Sequence, residues 1–207
     1  MIDILYYDDY IAVAVKPAGM ISEAGGFPDA LADELSQKTD KKLTLFPVHR
    51  LDKETSGIMV YALTPEAAAG LSRDITDGIW EKVYLAKVCG TPEKQSDTLR
   101  DLLYYDRARS KSFVVTRERK GVKQAILHYT VEAVEDGYST LKIRLETGRT
   151  HQIRVQFASR GLPLCGDRRY GAPASSGNAL ALCACELKFR HPKTKETLKF
   201  KIDVNHF

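Results

Sequence analysis

AILHYTVEAV (residues 125–134), EDGY (135–138) and STLKIRLE (139–146) read as two alternating strands folded back on each other across Asp136-Gly137. Apolar and polar residues take turns along both arms, which is the period of a half-buried strand, and Asp-Gly is a strong signal for a two-residue hairpin. Working outward, residues 81–89 and 113–116 add strands, and 180–190 with 197–204 form a second hairpin across HPKTKE. On the N-terminal side, residues 2–6 and 10–15 are short strands around Asp8-Asp9, and Gly57 leads into the apolar run IMVYAL. Helices are fewer. Residues 29–37 make a short one at best, Thr64-Pro65 supplies an N-cap and first-turn pair for a helix to residue 75, and 150–159 makes a third that stops before Gly161. Residues 91–97 read as a polar connection. Strands joined by tight turns, without regular strand-helix alternation, imply an α+β domain on a mostly antiparallel sheet rather than a doubly wound one.

The chain has 207 residues, of which 43% are hydrophobic and 28% charged, an ordinary globular composition. That length suits one large domain, and no repeat or low-complexity tract marks a boundary, so a single domain over 1–207 is expected. The longest apolar stretches, such as residues 11–15, are far too short to cross a bilayer, and the start MIDILYYDDY lacks a basic leader, so the expected location is the cytoplasm. Four cysteines without a C-x-x-C pair argue against a disulfide scaffold and against structural metal. Cys183 and Cys185, two apart on a strand, read as small apolar fillers.

Charge is segregated. Residues 1–40 hold Lys16 and Lys38 against eight acidic side chains, a net of −6, which leaves +10 for the rest of a chain whose net charge is +4. Residues 100–124 carry eight Lys or Arg against Asp101, Asp106 and Glu118, and 142–169 carry seven against Glu146 and Asp167. If these segments share a face they form a phosphate-binding surface; the plainer reading is a set of solvated strand faces.

Two clusters could carry chemistry. In LFPVHRLDKETSGIMVYAL (45–63), the polar groups His49, Arg50, Asp52, Lys53, Glu54, Thr55 and Ser56 crowd into a loop anchored by an apolar strand. Asp52 has Arg50 and Lys53 as sequence neighbours that would keep a nucleophilic carboxylate ionised, although Asp52 and Ser56 also suit turn caps. A serine hydrolase built on His49 and Ser56 lacks the G-x-S-x-G elbow. In ETGRTHQIRVQFASRGLPLCGDRRYG (146–171), Arg149, His151, Gln152 and Arg154 fall at the start of the third helix. They suit an anion, which could equally be a phosphate or a carboxylate of the protein itself.

The two clusters resemble the signatures of the RluA-type RNA pseudouridine synthases: H-R-L-D-x-x-T-S-G stands at 49–57 and G-R-T-H-Q-I-R at 148–154. VAVKPAGM, EKVYLAKVCG at 81–90, and GLPLCGDRRYG with LALCACELKFRHPKTKETLKF extend the similarity over nearly the whole chain. The resemblance implies a pseudouridine synthase fold, a central mostly antiparallel sheet with flanking helices and a basic RNA-binding cleft, here without the N-terminal RNA-binding extension that many relatives carry. It implies that Asp52 attacks the target uridine, that Tyr84 stacks on the flipped base, and that Arg154 pairs with the catalytic carboxylate. His49, Arg50, Thr55, Arg149, His151 and Gln152 are then substrate-binding, with Arg50 helping to extrude the target nucleotide. Gln156 and Leu162 depart from the histidines often found in relatives, which is expected to alter RNA contacts. The implied enzyme acts on structured RNA, tRNA or rRNA, with no metal and no cofactor; a monomer is expected. The competing reading is a catalytically silent RNA-binding protein on the same fold.

Overall fold

The structure is a computed structural model that describes residues 1–204. Its strands are β1 Ile4–Tyr7, β2 Ile11–Lys16, β3 Phe46–Pro47, β4 Ser56–Ala62, β5 Glu81–Cys89, β6 Ser96–Asp106, β7 Lys111–Val115, β8 Val122–Glu135, β9 Tyr138–Leu145, β10 Leu182–Arg190 and β11 Thr197–Lys201. The helices are α1 Phe27–Thr39, α2 Pro65–Thr76 and α3 Gln152–Ala158. The chain forms two compact units, Met1–Glu81 with Ala184–Asp203, and Lys82–Cys183. The architecture is α+β, as the strand-and-turn order implied.

In the first unit β1 and β4 flank β2, β3 adds to β4, and β10 pairs with β11, each in antiparallel register. Alternation along β4 sends Ile58, Val60 and Ala62 to one face, where they meet Ala67 and Leu71 of α2 together with Trp80, Leu187 and Phe189. Tyr61 points the other way, toward Phe27 at the start of α1, with ring centroids 6.0 Å apart. The strand is buried along nearly its whole length because helices cover both faces. Thr64 caps α2 through its side-chain oxygen, which accepts from the Ala67 N–H at 3.1 Å, and Pro65 occupies the first turn, as expected. The α1 helix is longer than the sequence suggested. It gains two residues at each end, starting at Phe27 and Pro28, where proline needs no N–H partner, and ending against Asp40 in a left-handed conformation.

In the second unit the spatial order is β5-β9-β8-β6-β7, again antiparallel. The Asp136-Gly137 hairpin forms as expected, with φ of 52° and 80°, the left-handed pair that a type I′ turn requires. The eleven-residue β6 begins at Ser96, so that residues 91–95 are the connection expected while 96–97 and the residues after them, for which no strand was expected, are strand. Asp101 falls on the inward phase between the buried Leu99 and Leu103 and so breaks the apolar alternation. Its carboxylate is held there by Arg160 at 2.9 Å and Gln156 at 2.7 Å. Helix α3 lays Val155 beside Leu103, Ala125 and Tyr170, and Phe157 against Tyr129.

Candidate active site

His49, Arg50, Asp52 and Thr55 lie in the first unit, and Tyr84, Arg149, His151, Gln152 and Arg154 in the second.

The loop 49–55 is stapled from outside its own motif. Ser22 donates to the Leu51 carbonyl at 2.8 Å and accepts from the Leu51 N–H at 3.0 Å, clamping the residue before Asp52 on both sides. The Thr55 N–H closes a turn on the Asp52 carbonyl at 3.0 Å. His49 Nε2 accepts the Val60 N–H at 2.9 Å and its ring meets Trp80 edge-on at 5.1 Å, so this nitrogen anchors the loop to β4. Gly57 follows with φ of 123°, where a Cβ would run into the Ala184 backbone. The loop therefore enters β4 through a position that only glycine fits.

The cation beside Asp52 differs from the sequence expectation. Arg50 is exposed and pairs with Glu23 at 3.1 Å. Lys53 is exposed, and it is its carbonyl that serves the loop. The charge that Asp52 and Glu54 act on is Lys16, fully buried, whose Nζ donates to the carbonyls of Pro17 at 3.0 Å, Met20 at 2.8 Å and Lys53 at 3.2 Å. Burial pushes the Lys16 ammonium down to about 8, and the two carboxylates oppose that fall. The arrangement couples a buried cation to the loop backbone and to the carboxylate at once. Thr55 is also buried, and its hydroxyl has no hydrogen-bond partner among the described residues.

In the second unit Tyr84 sits on β5 opposite Ile143 and is nearly buried. The Arg154 guanidinium grips the Asp167 carboxylate through Nε at 2.7 Å and Nη2 at 2.8 Å, with the two side chains 4% and 0% exposed. Among the anions left open by the sequence, a carboxylate of the protein is thus one that Arg154 binds. The guanidinium carbon also lies 5.3 Å from the centre of the Tyr170 ring. The Tyr170 hydroxyl accepts the Ser112 N–H at 2.8 Å and meets His151 Nδ1 at 2.9 Å, and burial pushes it up to about 12, so it stays protonated and can donate to that nitrogen. Gln152 is buried and its amide is committed: Oε1 accepts from Thr147 at 2.9 Å and from the Arg149 N–H at 3.0 Å, while Nε2 donates to the Ile126 carbonyl at 3.1 Å. Arg149 is half-buried and donates from Nε to the Gln124 carbonyl at 2.9 Å. The expectation that Gln156 alters RNA contacts is corrected, since its side chain is fully buried and donates to Asp101.

Lys16, Ser22, Asp167 and Tyr170 were given no role on sequence grounds. Lys16 lies in VAVKPAGM, and Asp167 and Tyr170 in GDRRYG, so the segments were visible although the roles were not. Among the described residues no group of His, Cys, Asp or Glu is arranged to hold a metal, and no helix is long and apolar enough to cross a membrane.

A family model described as RNA pseudouridylate synthase matches residues 10–159. The chain is 34% identical to a ribosomal large subunit pseudouridine synthase D of Zymomonas mobilis, over 98% of this chain and 69% of that protein. It is also 34% identical to a dual-specificity RNA pseudouridine synthase RluA of Pasteurella multocida, over 96% of this chain and 91% of that one. Among solved structures, human RNA pseudouridylate synthase domain containing 4 superposes with a TM-score of 0.81 at 22% identity, covering 98% of this chain and 88% of its own, a likeness of fold.

Proposed function

The chain belongs to the RNA pseudouridylate synthase family and is an RNA pseudouridine synthase, an isomerase; from that premise we propose that Asp52 is its catalytic carboxylate and that its substrate is a structured tRNA or rRNA in the cytoplasm. The observation that carries the assignment is the loop around Asp52, clamped by Ser22, tied to β4 by His49 and charge-balanced by the buried Lys16. A carboxylate on so restrained a loop, with a buried cation near it, is held in one place, which is what a nucleophile or base needs.

Pseudouridine formation detaches uracil from its sugar, turns the base and rejoins it through carbon five. Atoms are conserved and no net oxidation occurs. The chain's residues must supply a carboxylate for the sugar, a surface on which the freed base rests, and cations for the phosphates. Asp52 supplies the first. Tyr84 stacks on the flipped base and so offsets part of the few kcal/mol that unstacking costs. Arg154, gripped by Asp167, is the residue that the family resemblance assigns to pairing with the catalytic carboxylate. Arg50, exposed and held only by a surface pair with Glu23, is free to exchange that partner for the strand it extrudes. Arg149 and His151 contact the RNA, whereas His49 and Gln152, whose polar atoms are bonded inside the protein, act by positioning the loops that carry the others. The enzyme works as a monomer.

The test is Asp52→Asn, which removes one charge and leaves the shape. Uridine isomerisation on a substrate RNA is expected to vanish while RNA affinity and the thermal midpoint hold. Residual turnover by a clean preparation rules out Asp52 as the reacting group. Mapping pseudouridine in cellular RNA with and without the gene identifies the modified position and decides between tRNA and rRNA.

A further inference from the structure

Cys89, at the end of β5, and Cys165 lie in the second unit with their sulfurs 3.7 Å apart. The backbone holds them there. Val88 and Leu164 form an antiparallel bridge, the Cys89 N–H donates to the Pro163 carbonyl at 2.9 Å, and the Cys165 N–H donates to the Lys87 carbonyl at 2.8 Å. The two cysteines are therefore diagonal neighbours on one face of a short ladder, and closing to a bond of about 2.05 Å takes a side-chain rotation and a small backbone shift. Cys89 is half-buried. Cys165 lines a cavity of about 280 Å³ together with Lys87, Tyr138, Ser176 and Asn178, which gives a small oxidant a way in. One wall of that cavity is braced by Arg168, which donates to the carbonyls of Ala174 at 3.0 Å and Gly177 at 3.3 Å.

We infer that Cys89 and Cys165 are a modification site: a dithiol that hydrogen peroxide converts to an intramolecular disulfide. The Cys89 thiolate attacks one peroxide oxygen, the O–O bond breaks, and the departing hydroxide takes up a proton to leave as water. The Cys165 sulfur then attacks the Cys89 sulfenic acid, the S–O bond breaks, and the thiol proton of Cys165 leaves with the hydroxyl as a second water. Two thiols are oxidised by two electrons and one peroxide is reduced to two waters. The half-buried Cys89 takes the first step, since burial pushes the Cys165 thiol up to about 12 while the charge of Lys87 opposes that rise.

The bond also has a route to the reaction. Asp167, two residues after Cys165, is the carboxylate that grips Arg154, and the turn between them is tied by the Asp167 N–H to the Leu164 carbonyl at 3.0 Å. Drawing Cys165 toward Cys89 pulls on that turn. This second step rests on the part proposed above for Arg154, whereas the thiol chemistry does not.

The experiment treats the reduced full chain with a few equivalents of hydrogen peroxide. The expected product has lost the mass of two hydrogen atoms, retains two of its four free thiols, and gives a non-reduced peptide joining Cys89 to Cys165. Its isomerisation rate falls by at least about tenfold and returns with dithiothreitol. Cys89→Ser and, independently, Cys165→Ala are expected to abolish the linked peptide and the reversible loss of activity. Four thiols surviving the treatment, or a link between other cysteines such as Cys183 and Cys185, overturns the site. A Cys89–Cys165 disulfide with unchanged turnover overturns the route through Asp167. A reduced protein inactive on every RNA tested removes the proposed function instead, with the cysteine result standing by its own mass measurement.

Discussion

Asp167→Asn tests whether the Arg154–Asp167 pair holds the second cluster together. Both arms of the guanidinium fork that reach Asp167 are at 2.7 and 2.8 Å, and the side chains are 4% and 0% exposed. Removing one member of such a buried pair costs about 3–5 kcal/mol, against about 0–1 kcal/mol for an exposed one. Asparagine keeps one acceptor for the fork, so the lower end applies, about 3 kcal/mol. In a chain of this size each kcal/mol moves the thermal midpoint by about 2–4 °C, which gives a fall of about 6–12 °C. The contrast is Glu81→Gln, whose partner Lys188 sits at 2.7 Å but with side chains 42% and 53% exposed, and which is expected to move the midpoint by no more than about 4 °C. The assay is calorimetry or urea denaturation of the two variants, with Asp167→Leu, Arg154→Met and the Arg154→Met/Asp167→Leu pair closing a double-mutant cycle. The double variant is expected to recover most of the loss, because replacing a buried ion pair by apolar groups is often close to neutral. An Asp167→Asn loss below about 1 kcal/mol, or additive single losses with no coupling, refutes the assignment of this pair as a structural clamp.

Gly57→Ala is expected to cost about 2–4 kcal/mol, because φ is 123° and the new Cβ meets the Ala184 backbone; a melt within 1–2 °C of wild type contradicts that close approach. Lys16→Met addresses pH. The buried ammonium is pushed down to about 8 in the folded chain and lies higher when unfolded, so between those values the unfolded chain holds more protons and folding stability gains from Lys16 as pH rises. The wild-type minus Lys16→Met stability difference should therefore climb between about pH 8 and 10 in paired urea melts, and a flat difference removes the burial argument. If the basic segments of residues 100–124 and 142–169 bind phosphates, the logarithm of RNA affinity should fall steeply and linearly with the logarithm of salt concentration. A near-zero slope shows that these charges serve only as solvated faces.

What could be read from the chain alone follows how far each signal reaches along it. Thr64-Pro65 announces α2 and Asp136-Gly137 announces the β8–β9 turn because the cap and the left-handed pair are properties of two to four consecutive residues. Strand β6 was missed for the opposite reason. Asp101 occupies an inward position that is tolerable only because Gln156 and Arg160, more than fifty residues away, supply its hydrogen bonds. The same limit hid Lys16, which looks like a surface lysine in VAVKPAGM until one of its bonds is traced to the Lys53 carbonyl 37 residues on.

The candidate site shows that limit at its sharpest. Motif matching picked out Asp52 and Arg154, the groups whose chemistry is distinctive, yet a carboxylate and a guanidinium become useful only when something fixes where they point. Ser22 does so for the loop before Asp52 with one hydroxyl bonded in both directions, 29 residues away in sequence. Asp167 and Tyr170 do so for Arg154, one through a fork of two hydrogen bonds and the other through the face of its ring. Sequence neighbours were the wrong place to look for the counter-charge of Asp52, because Arg50 and Lys53 are long, exposed side chains that water screens, whereas Lys16 is buried, where its charge acts on the carboxylate with little screening. Replacing Arg50 should therefore weaken RNA handling with little effect on the folded loop, while replacing Lys16 should disturb the loop itself, and comparing KM with kcat in the two variants separates these effects.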